Sequence, residues 1–299
     1  MRKRPRRKNK NNKSSKNILI LLILLVLVLF SYFFINNTKK SGEKLISVKS
    51  LGSIILIPPS SIPTPALIPT PTPIPLVGFC LNIPVLLYHH VQPQAQAVEK
   101  GQTSLSVDNG VFDQQIAYLI SSGYTTITAK TLVDALRNKT QLPPKSILVT
   151  LDDGYKDNFD YAYPIVQKYR IKVNLLIPTG LLGGSNYMSW DQLREMKNSG
   201  LIYLIDHSWS HYSVNYGSAD KIKYEINTAR QQLQDNTGQT VDIFGYPYGE
   251  FNDLDVSILQ QEGFVGAFST IPGHWQCDSF IMALHRTRIG NAPLSYYGL

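Results

Sequence analysis

The sequence predicts an α/β domain, a distorted barrel of the (β/α)7 type, carried behind one transmembrane helix and a proline-rich linker. Three observations predict it. From residue 79 onward, short apolar runs alternate with stretches of helical periodicity. Residues 18–35 are almost unbroken apolar sequence. Residues 58–75 are dominated by proline.

Residues 1–17 carry nine Lys/Arg and no acid. The apolar run that follows, Ile18 to Ile35, is near the minimum length for crossing a bilayer. Basic residues on one side keep that end in the cytoplasm. The segment after it begins Asn36-Asn37-Thr38-Lys39-Lys40 and has no small-residue cleavage site, which favours an uncleaved anchor over a signal peptide. The expectation is a cell-membrane protein that crosses once, with a cytoplasmic tail (1–17), an anchor (18–35), an extracytoplasmic linker (36–78) and a folded domain (79–299). Within the linker, frequent proline removes backbone donors and favours an extended, semi-rigid spacer.

The net charge of +8 is unevenly placed. From residue 79 there are 16 Lys/Arg against 20 Asp/Glu, so the folded part is mildly acidic. A nucleic-acid partner is therefore not expected. The two cysteines, Cys80 and Cys277, lack metal-motif spacing. In an exported domain they can pair, tying its start to a loop near its end, or remain buried thiols.

The elements follow in order. Pro84 to Tyr88 reads as a buried strand, Val111 to Ser122 as a helix, and Thr125 to Thr128 as a short β-rich run before a helix at Thr131 to Leu136. Ser146 to Leu151 is a strand, Asn158 to Tyr169 a helix, and Val173 to Ile177 a strand. Trp190 to Asn198 is a helix closed by Gly200. Leu201 to Ile205 is a strand and Ala219 to Asn236 a long amphipathic helix. Val241 to Phe244 is a strand, Asp253 to Glu262 a helix, Val265 to Ser269 a strand, and Arg286 to Ile289 the last. About seven units in some 220 residues suit a barrel better than an open sheet.

Chemistry-bearing residues fall just past strand ends, where such barrels keep their sites. Asp152-Asp153-Gly154 follows the run Ile147–Leu151, and His207-Ser208-Trp209-Ser210-His211 follows Leu201–Ile205. Alone, the first is ordinary turn chemistry and the second a pair of surface histidines. Together, one carboxylate and two imidazoles make a zinc-type ligand set with a position open for water, and the second carboxylate is a base for that water.

A third segment, Tyr246-Pro247-Tyr248-Gly249, also follows a strand. With it, residues 83–289 resemble the polysaccharide deacetylases of carbohydrate esterase family 4, in the branch similar to poly-N-acetylglucosamine deacetylases. Leu151-Asp152-Asp153-Gly154 resembles the family's first motif, and His207 to His211 its second. Val85 to His89 and Leu284 to Ile289 resemble further family segments. The resemblance implies that Asp153, His207 and His211 hold the metal, Zn²⁺ or another divalent ion such as Co²⁺, Ni²⁺ or Mn²⁺. It implies Asp152 as general base, with the Tyr248 N–H at the oxyanion. The family often carries an arginine in the third motif to orient the base. That position is Gly245 or Tyr246 here, so Arg286 or Arg288 is expected to supply the contact. For the acid, His285 stands in the family's region, with His274 second. Tyr246, Pro247, Tyr248, His89 and Trp209 are expected to line the sugar site.

The expected activity is metal-dependent removal of acetyl groups from an N-acetylated polysaccharide of the cell wall or surface. Two other readings stand beside it: an O-acetyl-xylan type of esterase, and a metal-containing glycan-binding protein without catalysis.

Overall fold

The structure is a computed structural model that describes residues 76–299. The basic tail, the apolar run 18–35 and most of the linker lie outside the described residues. Among those described, no helix is long and apolar enough to cross a membrane.

The strands are β1 (Cys80–Asn82), β2 (Val85–Tyr88), β3 (His90–Val91), β4 (Ser106–Val107), β5 (Thr125–Thr126), β6 (Ser146–Leu151), β7 (Val173–Ile177), β8 (Ile202–Asp206), β9 (Ile243–Gly245), β10 (Gly266–Phe268), β11 (Trp275–Cys277) and β12 (Thr287–Arg288). The helices are α1 (Gln94–Glu99), α2 (Asn109–Ser121), α3 (Ala129–Asn138), α4 (Tyr163–Tyr169), α5 (Trp190–Asn198), α6 (Ala219–Thr237) and α7 (Asp253–Gln261).

One curled parallel sheet runs β10-β9-β8-β7-β6-β2-β12, with β5 also paired to β6. Every residue of β6 is buried, as expected of a central parallel strand covered on both faces. The stretch 284–289 touches both edges of the sheet. Leu284 bridges Phe268 in parallel, and Ser269 N–H donates to the Leu284 carbonyl at 2.9 Å. Three residues on, Thr287 and Arg288 pair with Leu86 and Leu87 of β2. This segment takes the seventh position and closes the curl.

The helices begin where side chains satisfy their free N–H groups. Asp108 caps α2, Thr128 caps α3 and Ser218 caps α6. Ser189 with Gln192, and Asn252 with Asp255, form capping boxes on α5 and α7.

The single helix expected over 158–169 is instead a π-helical turn, 158–162, followed by α4. Pro164 lacks the N–H that would continue an α-helical ladder back from this point. β1 pairs antiparallel with β11, placing Cys80 opposite Cys277, and the two are joined by a disulfide.

Candidate active site

β6 delivers Asp152 and Asp153 to the rim of the sheet. Asp153 and Gly154 both take left-handed backbone, with φ of 71° and 66°. This bends the chain sharply at the strand end. Ser208, His211 and Tyr248 are also left-handed, with φ of 62°, 59° and 62°. Four non-glycine residues in that sparsely populated region, gathered around one cleft, are the kind of local strain that surrounding packing must hold in place.

Asp153 Oδ1 lies 3.4 Å from His207 Nε2 and 3.1 Å from His211 Nε2. One ligand atom from each of the three residues falls within 4.8 Å of the others. His207 Nδ1 is 2.6 Å from the Gly245 carbonyl, so Nδ1 carries the proton and Nε2 presents its lone pair inward. Asp153 Oδ1 is buried and has no partner with hydrogen-bond geometry. Two imidazoles and a carboxylate converging on one point, with an orphaned oxygen among them, fit a divalent cation. Burial alone would raise the Asp153 carboxyl. The neighbouring imidazoles of His207 and His211 outweigh it and hold the group well below the usual carboxylate range.

Asp152 is buried beside this set, and its Oδ1 accepts a 2.7 Å hydrogen bond from Arg286 Nη1. Arg286 is itself buried, and its Nε donates to the Ser269 carbonyl at 2.8 Å. Of the two arginines anticipated, the one on Asp152 is Arg286. Arg288 lines the cavity without touching that carboxylate through any hydrogen bond or ion pair. A Cβ at Gly245 would stand 2.2 Å from Leu176 Cδ2 and 3.5 Å from His207 Nδ1, so a side chain there would have to displace Leu176.

An open cleft of about 610 Å³ contains Asp152, Asp153, His207, His211, His89, Tyr248, Arg286 and Arg288. Tyr248 is 65% exposed, and its ring meets His211 edge-on at 4.6 Å. Burial lowers the basicity of His89, against the opposing pull of Asp152 and Asp153.

Of the other expected site residues, three stand outside the cleft and one is buried in its wall. His285 does not line the cleft; its ring stacks on Phe280 at 4.6 Å. It precedes Arg286 by one residue on an extended stretch, so the two side chains take opposite faces. Tyr246 lines the cleft wall but is fully buried, and its hydroxyl donates to the Met282 carbonyl at 2.9 Å, leaving it no free polar tip. Pro247 is buried in the same turn. Trp209 packs against Gly180 and meets Tyr224 edge-on, outside the cleft.

Sequence reasoning missed Glu225. It is fully buried on α6 and accepts from Ser210 N (2.8 Å), Ser210 Oγ (2.9 Å) and Lys221 Nζ (2.6 Å), clamping the loop that carries both histidines. Asp206, also fully buried, accepts from Ser208 N–H at 2.8 Å under the same loop. Burial raises its carboxyl well above the ordinary range. A charged residue on the inward face of an amphipathic helix was the available signal for Glu225. Tyr155 and Tyr187, stacked at 5.4 Å, form the wall beside Asp153.

Comparison with known proteins places this geometry. Residues 139–267 match the family model of polysaccharide deacetylases. The protein YxkH of Bacillus subtilis (strain 168), a provisional polysaccharide deacetylase, is 27% identical over 208 residues, covering 70% of this chain and 71% of that one. The poly-β-1,6-N-acetyl-D-glucosamine N-deacetylase of Escherichia coli (strain K12) is 24% identical over 249 residues, 69% of this chain but only 36% of the length of that enzyme. Among solved structures, the Streptococcus pyogenes deacetylase PplD in complex with acetate superposes with a TM-score of 0.66 at 27% identity, covering 70% of this chain and 92% of that one.

Proposed function

Starting from a polysaccharide deacetylase domain, we propose that this chain is a metal-dependent hydrolase that removes N-acetyl groups from a cell-wall or surface polysaccharide. One observation carries the reading. An arginine-held carboxylate, Asp152, sits beside a converging Asp153–His207–His211 set in a single open cleft. A binding module has no use for the first of these.

Asp153, His207 and His211 would hold the metal. Bound there, it supplies Lewis-acid polarisation of the acetyl carbonyl and acidifies water. Asp152 takes the proton of the attacking water. Its Oδ1 is held by Arg286, which leaves Oδ2 as the accepting oxygen. The Tyr248 N–H, in the left-handed turn at the cleft edge, donates to the oxygen that gains negative charge. His89 is the histidine of the cleft outside the ligand set, and it gives the leaving amine its proton. This role passes to His89 from His285, whose ring is turned away.

The similarity to poly-N-acetylglucosamine deacetylases supports an N-acetylglucosamine polymer as substrate. Residues 18–35 act as a membrane anchor that leaves the domain extracytoplasmic. The Cys80–Cys277 disulfide supports an oxidising compartment.

The test is acetate release by the zinc-loaded full chain from poly-β-1,6-N-acetylglucosamine, chito-oligosaccharides, peptidoglycan and acetylxylan. Chelation should abolish release and added Zn²⁺ restore it. Release from acetylxylan alone would move the assignment to an ester, and no release from any of them would end it. Protease added outside wall-stripped cells should reach the domain. Recovery of soluble mature protein beginning near Asn36 would refute the anchor.

A further inference from the structure

We propose that a smaller cavity beside the main cleft is a subsite for the adjoining residue of the glycan strand, and that Arg288 selects a residue bearing a carboxylate there. This rests on the deacetylase reading of the main cleft. The side cavity, about 260 Å³, shares His89, Leu105 and Arg288 with the cleft and is otherwise lined mainly by Thr103, Ser104 and Asn291. The two spaces are therefore contiguous across those three residues. A strand with its acetylated sugar over Asp152 and Asp153 can continue past His89 into the side cavity.

Some polar groups at this junction are already held: Arg286 bonds Asp152, Thr150 and Ser269, and Asn291 Oδ1 accepts from Asp108 N–H at 2.8 Å. The guanidinium of Arg288, two residues on, is exposed and makes no ion pair or side-chain hydrogen bond among the described residues. The hydroxyls of Thr103 and Ser104, both exposed, are likewise without side-chain hydrogen bonds among the described residues. A guanidinium suits a carboxylate because its N–H groups form a fork matching two oxygens. Hydroxyls beside it suit the rest of a sugar ring. The charge is local: the domain from residue 79 is net acidic, so Arg288 is not part of a general basic face. The carboxylate could come from a lactyl ether on the sugar or from a uronic acid.

The experiment measures acetate release by the zinc-loaded full chain from three tetrasaccharides. One is all N-acetylglucosamine, one alternates with a lactyl-ether sugar, and one alternates with glucuronic acid. The expected result is a kcat/KM roughly tenfold or more higher on at least one acidic strand, the size of a charged hydrogen bond. Which acid wins separates the two sources. Arg288→Gln should erase the advantage through KM, and Arg288→Lys should restore part of it. Equal use of all three strands by the wild-type chain, or a parallel fall on all three in Arg288→Gln, overturns the proposal. If no acetate is released at all, the deacetylase reading has failed, and calorimetric titration with the same strands decides the subsite. Tighter binding of an acidic strand, lost in Arg288→Gln, upholds it; equal or undetectable binding overturns it.

Discussion

Replacing Arg286 by methionine should separate stability from catalysis at the base. The wild-type guanidinium bonds Asp152 Oδ1 at 2.7 Å, Thr150 Oγ1 at 3.3 Å and the Ser269 carbonyl at 2.8 Å. Both charged groups are buried, so methionine leaves a buried carboxylate without its cation. Breaking such a pair from one side costs about 3–5 kcal/mol. At about 2–4 °C per kcal/mol for a domain of this size, Tm should fall by roughly 6–20 °C. Without the guanidinium nothing holds Oδ1, so the carboxylate loses its orientation toward the attacking water. Acetate release should therefore drop by about 10²-fold or more. Asp152→Asn should also destabilise, because it strands the arginine. The double variant removes both charges of the pair, so its Tm loss should be clearly smaller than the sum of the two single losses. Thermal unfolding of the full chain and its three variants, at one saturating Zn²⁺ concentration, gives the cycle. Additive losses would show that the pair is not coupled, and near-wild-type turnover by Arg286→Met would show that Asp152 is not the base.

Other outcomes follow from the same geometry. The double variant His207→Ala and His211→Ala should lose the bound metal, as should Asp153→Asn, whereas Asp152→Asn should keep it; elemental analysis of dialysed protein distinguishes them. His89→Gln should lower turnover by about 10²–10⁴-fold while His285→Gln stays close to wild type, and the reverse order would return the acid to His285. Asp255, whose carboxyl is raised by burial, stabilises the fold most when protonated. That contribution should be full below about pH 4 and lost as pH rises through its raised value, and Asp255→Asn should flatten this slope in Tm against pH.

Much of the fold was legible because its elements are local. α5 begins and ends where Ser189, Gln192 and Gly200 say it should, and β6 is one apolar run between turn residues. The strand-end positions of Asp152, Asp153, His207 and His211 came from the same pattern. What escaped was parity and depth. His285 and Arg286 are adjacent in sequence, and only the register of the closing segment decides which faces the cleft. Tyr246 and Tyr248 look alike in sequence, yet one is fully buried and the other 65% exposed. Glu225 is distant from its loop in sequence and resembles any helical glutamate until α6 packs. The disulfide, left open by sequence, required the antiparallel pairing of β1 with β11, some 197 residues apart.

The segment that closes the sheet also carries Arg286, the arginine bonded to Asp152, and this sets when that pair can form. Arg286 reaches Asp152 across 134 residues of chain. Asp153, His207 and His211 are all synthesised before it, and their strands, β6 and β8, are joined through β7 alone. Contacts between distant segments form late, because the intervening loop must first be closed. A growing or truncated chain ending before residue 284 would hold the ligand residues without the clamp on Asp152. The Asp152–Arg286 pair would then form only with the last strand.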